Sequence, residues 1–284
     1  MANTRAIRNR IKSVESTRQI TRSMRMVAAS KLRKTQEHWQ QLRFFSGLSR
    51  ELMQNLGDGI DTARCPLLRS PEGGRLCLVL IVGNRGLCGT YNSALIKAAG
   101  ERLAAVPDGA SLVVCGRWGR EQIASLGVPV LRVFDKLSDD PGAGEAEEIA
   151  EYLKELFLTG GFDQIEVLHE RYVSALSQEP CFLPLLPIKR ESAQGNRDMI
   201  YEPDPETLLN ELAELTLKNG VHSVLLEAKT SEHTARMTAM SAATDNTDEL
   251  IAELSLKLNH ARQAAITTEI SEIVGGSQAL HQNG

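Results

Sequence analysis

Gly83, Gly86 and Gly89 are the residues whose spacing most invites chemistry in this chain. They lie in the turn Gly83-Asn-Arg-Gly-Leu-Cys-Gly-Thr-Tyr-Asn92, between the apolar run Arg75–Val82 and a helix-like segment from Ser93 to about Ala105. A glycine-rich turn joining a strand to a helix can cradle phosphate, because small residues let backbone N–H groups approach an anion at the helix N-terminus. The spacing matches neither common fingerprint. The Walker pattern ends in Gly-Lys-Ser/Thr, and the dinucleotide pattern sets its later glycines two and five residues after the first. No ribose-binding acid follows at the expected place. The residues favour a tight structural turn, with a nucleotide-binding enzyme as the alternative.

Other reactive side chains are scattered. His38, His169, His222, His233, His260 and His281 show no metal-ligand spacing, and no Ser/His/Asp or Cys/His arrangement stands out. Cys65, Cys77, Cys88, Cys115 and Cys181 are odd in number and form no CxxC pair, a pattern that suits a reducing compartment. Neither a catalytic residue nor a cofactor is expected. Residues 1–34 carry ten Lys/Arg against Glu15 alone, a net of +9, so the other residues, with 32 − 10 = 22 bases and 36 − 1 = 35 acids, sum to −13. A basic arm of this kind binds nucleic acid or an acidic protein surface. Its bases are spread around a helix without interleaved aromatics, so nucleic acid is not the favoured partner. The apolar run ending at Val82 is far short of the ~20 residues that span a bilayer. No signal-peptide core follows the charged start. A soluble, cytoplasmic chain without direct membrane insertion is expected.

Long helices must frame whatever the turn does. Residues 4 to about 56 contain no Pro and one Gly, Gly47, and place Ile7, Ile11, Val14, Ile20, Met24, Val27, Ala28 and Leu32 at three- and four-residue steps. That periodicity predicts an amphipathic helix, with Asn3 or Thr4 as its cap and an end near Leu56-Gly-Asp-Gly59. At the other terminus, Ser231–Val274 has neither Gly nor Pro, and Met237, Met240, Thr244, Thr247, Ile251, Leu254, Leu258, Ala261, Ala265 and Thr268 repeat every 3.5 residues. Tyr201-Glu-Pro-Asp-Pro-Glu-Thr207 leads into it, with Asp204 as cap and Pro205 at the first helical position. Asn219-Gly220 is its weak point, and Val221–Glu227 read alone could form a strand. A continuous helix is favoured. Two such stripes are too narrow for separate globular cores, so they are expected to pack as an antiparallel pair.

Between them, strands are expected at Arg75–Val82, Ser111–Cys115, Val128–Phe134 and Gln164–Ser174, the last by its apolar–polar alternation, with a Pro-punctuated edge at Cys181–Ile188. Helices are expected at Ser93–Ala105, Trp118–Leu126 and Gly144–Phe157. This alternation predicts an α/β fold with an open, largely parallel sheet. The expected organisation is an N-terminal helix at 1–57, an α/β lobe at 75–190 and a C-terminal helix at 204–284.

The segments Arg10–Lys34, Arg85-Gly-Leu-Cys-Gly-Thr-Tyr-Asn92, Tyr201-Glu-Pro-Asp-Pro-Glu206 and Ala261-Arg-Gln-Ala-Ala-Ile-Thr-Thr-Glu-Ile-Ser-Glu-Ile-Val-Gly-Gly276 closely resemble the gamma subunit of F-type ATP synthases, in order along nearly the whole chain. The resemblance implies a coiled-coil rotor shaft with a Rossmann-like lobe, working without chemistry of its own. It implies alpha and beta subunits of the catalytic ring, an epsilon subunit and a membrane ring of c subunits as partners, on the cytoplasmic side of a bacterial cell membrane. It further implies that Arg262, Gln263, Thr267 and Glu269 touch beta-subunit loops, and that Met24 and Arg25 meet the acidic lever region of beta. Arg85, Gly86, Leu87, Cys88 and Gly89 would belong to the lobe nearer the foot of the shaft. The long insertion with a regulatory cysteine pair found in chloroplast forms is absent, and Leu226–Ser231 and Ala239–Asp245 depart from the commonest versions of the family.

Overall fold

The computed structural model describes residues 2–55, 64–69, 73–106, 109–175, 177–189 and 204–282. The expected helix end at Leu56–Gly59 and the lead-in Tyr201-Glu-Pro lie outside them. Two long helices bracket the chain: α1, Ala2–Asn55, and α5, Pro205–Gln282. α1 takes in both Asn3 and Thr4, the expected cap positions. Asp204 does cap α5: its carboxylate accepts from the Glu206 and Thr207 N–H groups at 3.0 and 2.9 Å. Gly220 does not break α5. A Cβ there would meet Leu185 at an ordinary 3.5 Å, so Gly220 lies against an apolar side chain.

Between the helices run β1 (Leu76–Ile81), α2 (Tyr91–Ala104), β2 (Ala110–Cys115), α3 (Arg120–Ala124), β3 (Val130–Phe134), α4 (Ala143–Leu158), β4 (Gln164–Tyr172) and β5 (Gln178–Leu186). The sheet order is β3-β2-β1-β4-β5. β1 to β4 are parallel neighbours, and β5 is an antiparallel edge on β4. Edge position is what lets β5 carry Pro180 and Pro184, which donate nothing to a ladder. Two expectations shift. The helix expected at Trp118–Leu126 shrinks to α3, because Gly119 takes a left-handed conformation (φ 76°) before it. β4 does not alternate: Val167, Leu168, His169 and Glu170 are all buried, since an inner strand is covered on both faces.

One face of the sheet packs Leu78, Leu80, Leu112 and Val114 against Leu95, Ala99 and Leu103 of α2. The other packs Cys77, Val79, Ile81, Val113 and Val167 with Ile149 and Leu153 of α4 and Leu209, Leu217, Val221 and Leu225 of α5. The polypeptide divides into two compact units. One comprises Met1–Val27 with Ala239–Gly284; the other is Ala28–Thr238.

Candidate functional site

In the first unit the two helices run antiparallel, because residues later in α1 meet residues earlier in α5. Arg18 pairs with Asp248 at 2.9 Å, and the hydroxyls of Thr21 and Thr244 are 2.9 Å apart. On α5 the 3.5-residue stripe is realised: Met240, Thr244 and Leu254 are buried, and Thr247, Ile251, Leu258, Ala261 and Ala265 half-buried. Thr268, the expected next member, is exposed. On α1 the stripe differs from the apolar pattern. Thr4, Ile7, Ile11, Val14, Arg18, Thr21 and Arg25 line it, at the same alternating steps, whereas Ile20 and Val27 are 57% and 54% exposed. A constant 3.5-residue register selected the seam over hydrophobicity, and long Arg stems can cover apolar surface while keeping their charge in water. Met24 and Arg25 are both half-buried.

The register also locates the end of the pair. Sixteen residues before Arg18 is Ala2, the start of α1, and sixteen after Asp248 is Ala264. Ala265 is the last half-buried member of the α5 stripe. Arg262, Gln263, Thr267 and Glu269 are all exposed around this transition. Beyond it Ile266, Ile270, Ile273 and Val274 stand exposed at helical spacing, Ile273 at 68%. This is an apolar stripe with a polar flank.

The second unit holds the glycine turn. The sequence places Arg85, Gly86, Leu87, Cys88 and Gly89 at the C-terminal end of β1, where the order of an open parallel sheet reverses and where such folds seat ligands. Leu87 and Gly89 both take positive φ, 61° and 59°. The Gly83 N–H donates to Asn92 Oδ1 at 2.8 Å, and Asn92 Nδ2 reaches Cys88 Sγ at 3.2 Å, which closes the turn on itself. What fills its mouth is α5. Arg236 donates to the Arg85 and Gly86 carbonyls at 3.4 and 3.5 Å, and the Tyr91 hydroxyl donates to Ala228 O at 3.2 Å. A side chain at Gly83 would press on the Glu232 carboxylate, 3.0 Å from its Cβ. The turn therefore seats a protein helix at the place where related folds hold phosphate.

Sequence reasoning missed the group seated there. Glu232 bridges Lys229 Nζ at 2.8 Å and Arg236 at 2.7 Å, with all three side chains shielded from solvent. Burial pushes the Glu232 carboxyl up, but the two cations more than offset this and hold it below the usual carboxylate range. The available signal was the spacing Lys-x-x-Glu-x-x-x-Arg, which puts the three on one helix face. Nearby, burial raises the Tyr91 phenol and lifts Glu170 to about 7. Among the described residues no group of three or more His, Cys, Asp or Glu side chains is placed to hold a metal ion. No described helix is long and apolar enough to cross a membrane.

Comparison with known proteins gives a consistent picture. The family model described as ATP synthase matches residues 3–280. The ATP synthase gamma chain of Desulfitobacterium hafniense is 42% identical over 280 residues, covering 99% of this chain and all of the relative. That of Moorella thermoacetica is 41% identical over 281 residues, with the same coverage of this chain. Among solved structures, a chain of the Euglena gracilis mitochondrial ATP synthase (OSCP/F1/c-ring, rotational state 3) aligns with a TM-score of 0.69 at 19% identity, over 99% of this chain and 96% of its own. A chain of the Tetrahymena thermophila mitochondrial ATP synthase central stalk and c-ring aligns at 0.59 and 23% identity, over 79% of this chain and 99% of its own. At these identities the structural matches establish a shared fold.

Proposed function

The chain belongs to the ATP synthase family, among its gamma chains, and from that premise we propose that it is the central rotor shaft of an F-type ATP synthase. The observation that carries this is the full-length match, 42% identity across 99% of the chain to a gamma chain. In this reading the chain works with alpha and beta subunits, an epsilon subunit and a ring of c subunits, on the cytoplasmic side of a bacterial cell membrane. It has no catalytic residue and couples ion flow to the nucleotide sites mechanically.

The geometry of the two-helix unit suits that work. A partner shifts an equilibrium only by interacting differently with its two states, so a shaft must present different surfaces in different directions. The pair does this. Its α1 helix is basic, with Arg5, Arg8, Arg10, Lys12 and Arg22 on the sequence around the seam, while α5 carries Asp245, Asp248, Glu249 and Glu253. Beyond Ala265 α5 presents exposed Ile266, Ile270 and Ile273. Arg262, Gln263, Thr267 and Glu269 are assigned to beta-subunit loops in this proposal, with Met24 and Arg25 to the lever region of beta. The exposure of the first four supports the assignment.

The test is co-expression with alpha and beta subunits, followed by identification of the co-purifying chains and an ATPase assay. The intact chain is expected to co-purify with both. A chain ending at His260 is expected to support ATP hydrolysis that is poorly coupled to ion movement; full coupling by the truncated chain would refute the contact assignments.

A further inference from the structure

The loop between β3 and α4, Asp135–Gly142, gathers groups from every neighbouring part of the second unit. From α1, Lys31 pairs with Asp139, and Lys34 and His38 pair with Asp140 at 2.9 and 3.0 Å. From α5, His222 Nε2 meets the Pro141 carbonyl at 2.9 Å and His233 Nε2 meets the Asp139 carbonyl at 3.0 Å. From the glycine turn, Asn84 Nδ2 donates to Leu137 O at 2.6 Å. From α4, the Glu145 carboxylate accepts from the Ser138 and Gly142 N–H groups at 2.7 and 3.0 Å. Leu137 is buried in the core formed by the sheet, α4 and α5. Both ends of the loop are thus pinned, and its middle is gripped from two sides.

Both long helices reach the sheet through apolar packing, α1 with Trp39 edge-on to Tyr172 of β4 and Met53 in the shared core. The grip of α5 is apolar, through Leu209, Leu217, Val221, Val224 and Leu225 in the shared core. Among the described residues, the side-chain hydrogen bonds and ion pairs that α1 makes to other elements between Ala28 and His38 all end on Asp139 or Asp140. The buried residues of α1 over this stretch, Ala28 and Thr35, are small or hydroxylic. Small side chains raise low ridges, which resist sliding or rolling of one helix on the other less than interlocked large ones do. Directional charge pairs converging on one anchored loop supply the resistance that such packing lacks.

We infer that Asp135–Gly142 is a strap that makes α1 and α5 turn together with the sheet, with Asp139 and Asp140 as positioning residues for the coupling of rotation to ion movement. The inference rests on the rotor reading above. Its test uses the whole complex, assembled with its partner subunits in sealed vesicles, carrying Asp139→Asn and Asp140→Asn together. Each half-exposed pair shifts an equilibrium by about two- to fivefold, so amide hydrogen exchange across 137–142 is expected to quicken about tenfold. ATP hydrolysis stays within about twofold of the parent while ions moved per ATP fall about threefold. Lys31→Asp combined with Asp139→Lys, with Asp140 intact, restores both readouts.

Faster exchange with unchanged ions per ATP would overturn the strap as a coupling element, and unchanged exchange would overturn these carboxylates as its anchors. Failure of the unsubstituted chain to assemble with alpha and beta subunits would instead strike at the rotor reading. If the double variant does not assemble, Lys34→Ala with His38→Ala puts the same question from the exposed side of the pairs, with the same two outcomes deciding it.

Discussion

Replacing Glu232 by Gln should cost the second unit about 3–5 kcal/mol, the range for removing one partner of a buried ion pair. The magnitude follows from what remains. Lys229 is 1% exposed, and Glu232 is its ion-pair partner at 2.8 Å, so the substitution strands an ammonium in the core. Arg236 keeps the Arg85 and Gly86 carbonyls and suffers less. The cost therefore belongs mainly to Lys229. Removing both charges with similar volume, Lys229→Met with Glu232→Leu, should bring stability back to within about 1 kcal/mol of the parent, because the desolvation cost disappears with the charges. Urea unfolding of the full chain, followed by tryptophan fluorescence, measures this directly: both tryptophans, Trp39 and Trp118, lie in the second unit. The acid limb gives a second check. A carboxyl held below its unfolded value stabilises above the unfolded pKa of about 4.3 and loses that contribution as pH falls through its folded value, so Glu232→Gln should flatten the acid limb. A single variant costing less than about 1 kcal/mol, or a double variant as unstable as the single, would refute the account of the triad.

Three further outcomes follow from particular residues. Gly116 sits at φ 119°, and a Cβ there would strike the Val82 carbonyl, so Gly116→Ala should cost about 3 kcal/mol or more, whereas Gly47→Ala, in an open helix interior, should gain about 0.5–1 kcal/mol by the same unfolding assay. In the coil, Thr21→Val alone should cost about 1 kcal/mol by leaving Thr244 without its cross-helix partner, while Thr21→Val with Thr244→Val should be nearly neutral in thermal melts followed by circular dichroism. Glu170, lifted to about 7 by burial and then by Glu179, is the opposite of Glu232. Its protonated form favours the fold, so stability is full below the unfolded pKa and erodes as pH rises towards 7, and Glu170→Gln should add up to about 3 kcal/mol above pH 7 while removing that slope.

Much of the architecture was legible because it rests on local periodicity. The 3.5-residue stripe from Met240 to Ala265, the capped start at Asp204-Pro205, the apolar run of β1 and the prolines of β5 all act through neighbours in sequence. The site was less legible. Apolar spacing put Ile20 and Val27 on the seam of α1, yet the antiparallel register seats Arg18, Thr21 and Arg25 there. Hydropathy ranks single residues, whereas a coil selects positions. Exposure of Arg262, Gln263, Thr267 and Glu269 is likewise a property of the folded helix pair that residue type alone does not give.

What the sequence by itself determined is the set of elements: two long helices, the strand–turn–helix at Gly83–Asn92 and the alternation that makes a parallel sheet. Only the tertiary structure decided what fills the mouth of that turn. Lys229, Glu232 and Arg236 lie some 140 residues from it in sequence, and Asp139 and Asp140 some 100 from Lys31 and His38. Their chemistry depends on partners that chain folding brings within about 3 Å, because charge pairing falls off with separation in space and takes no account of separation along the chain. A glycine turn that could have cradled a phosphate became the seat of a helix for that reason.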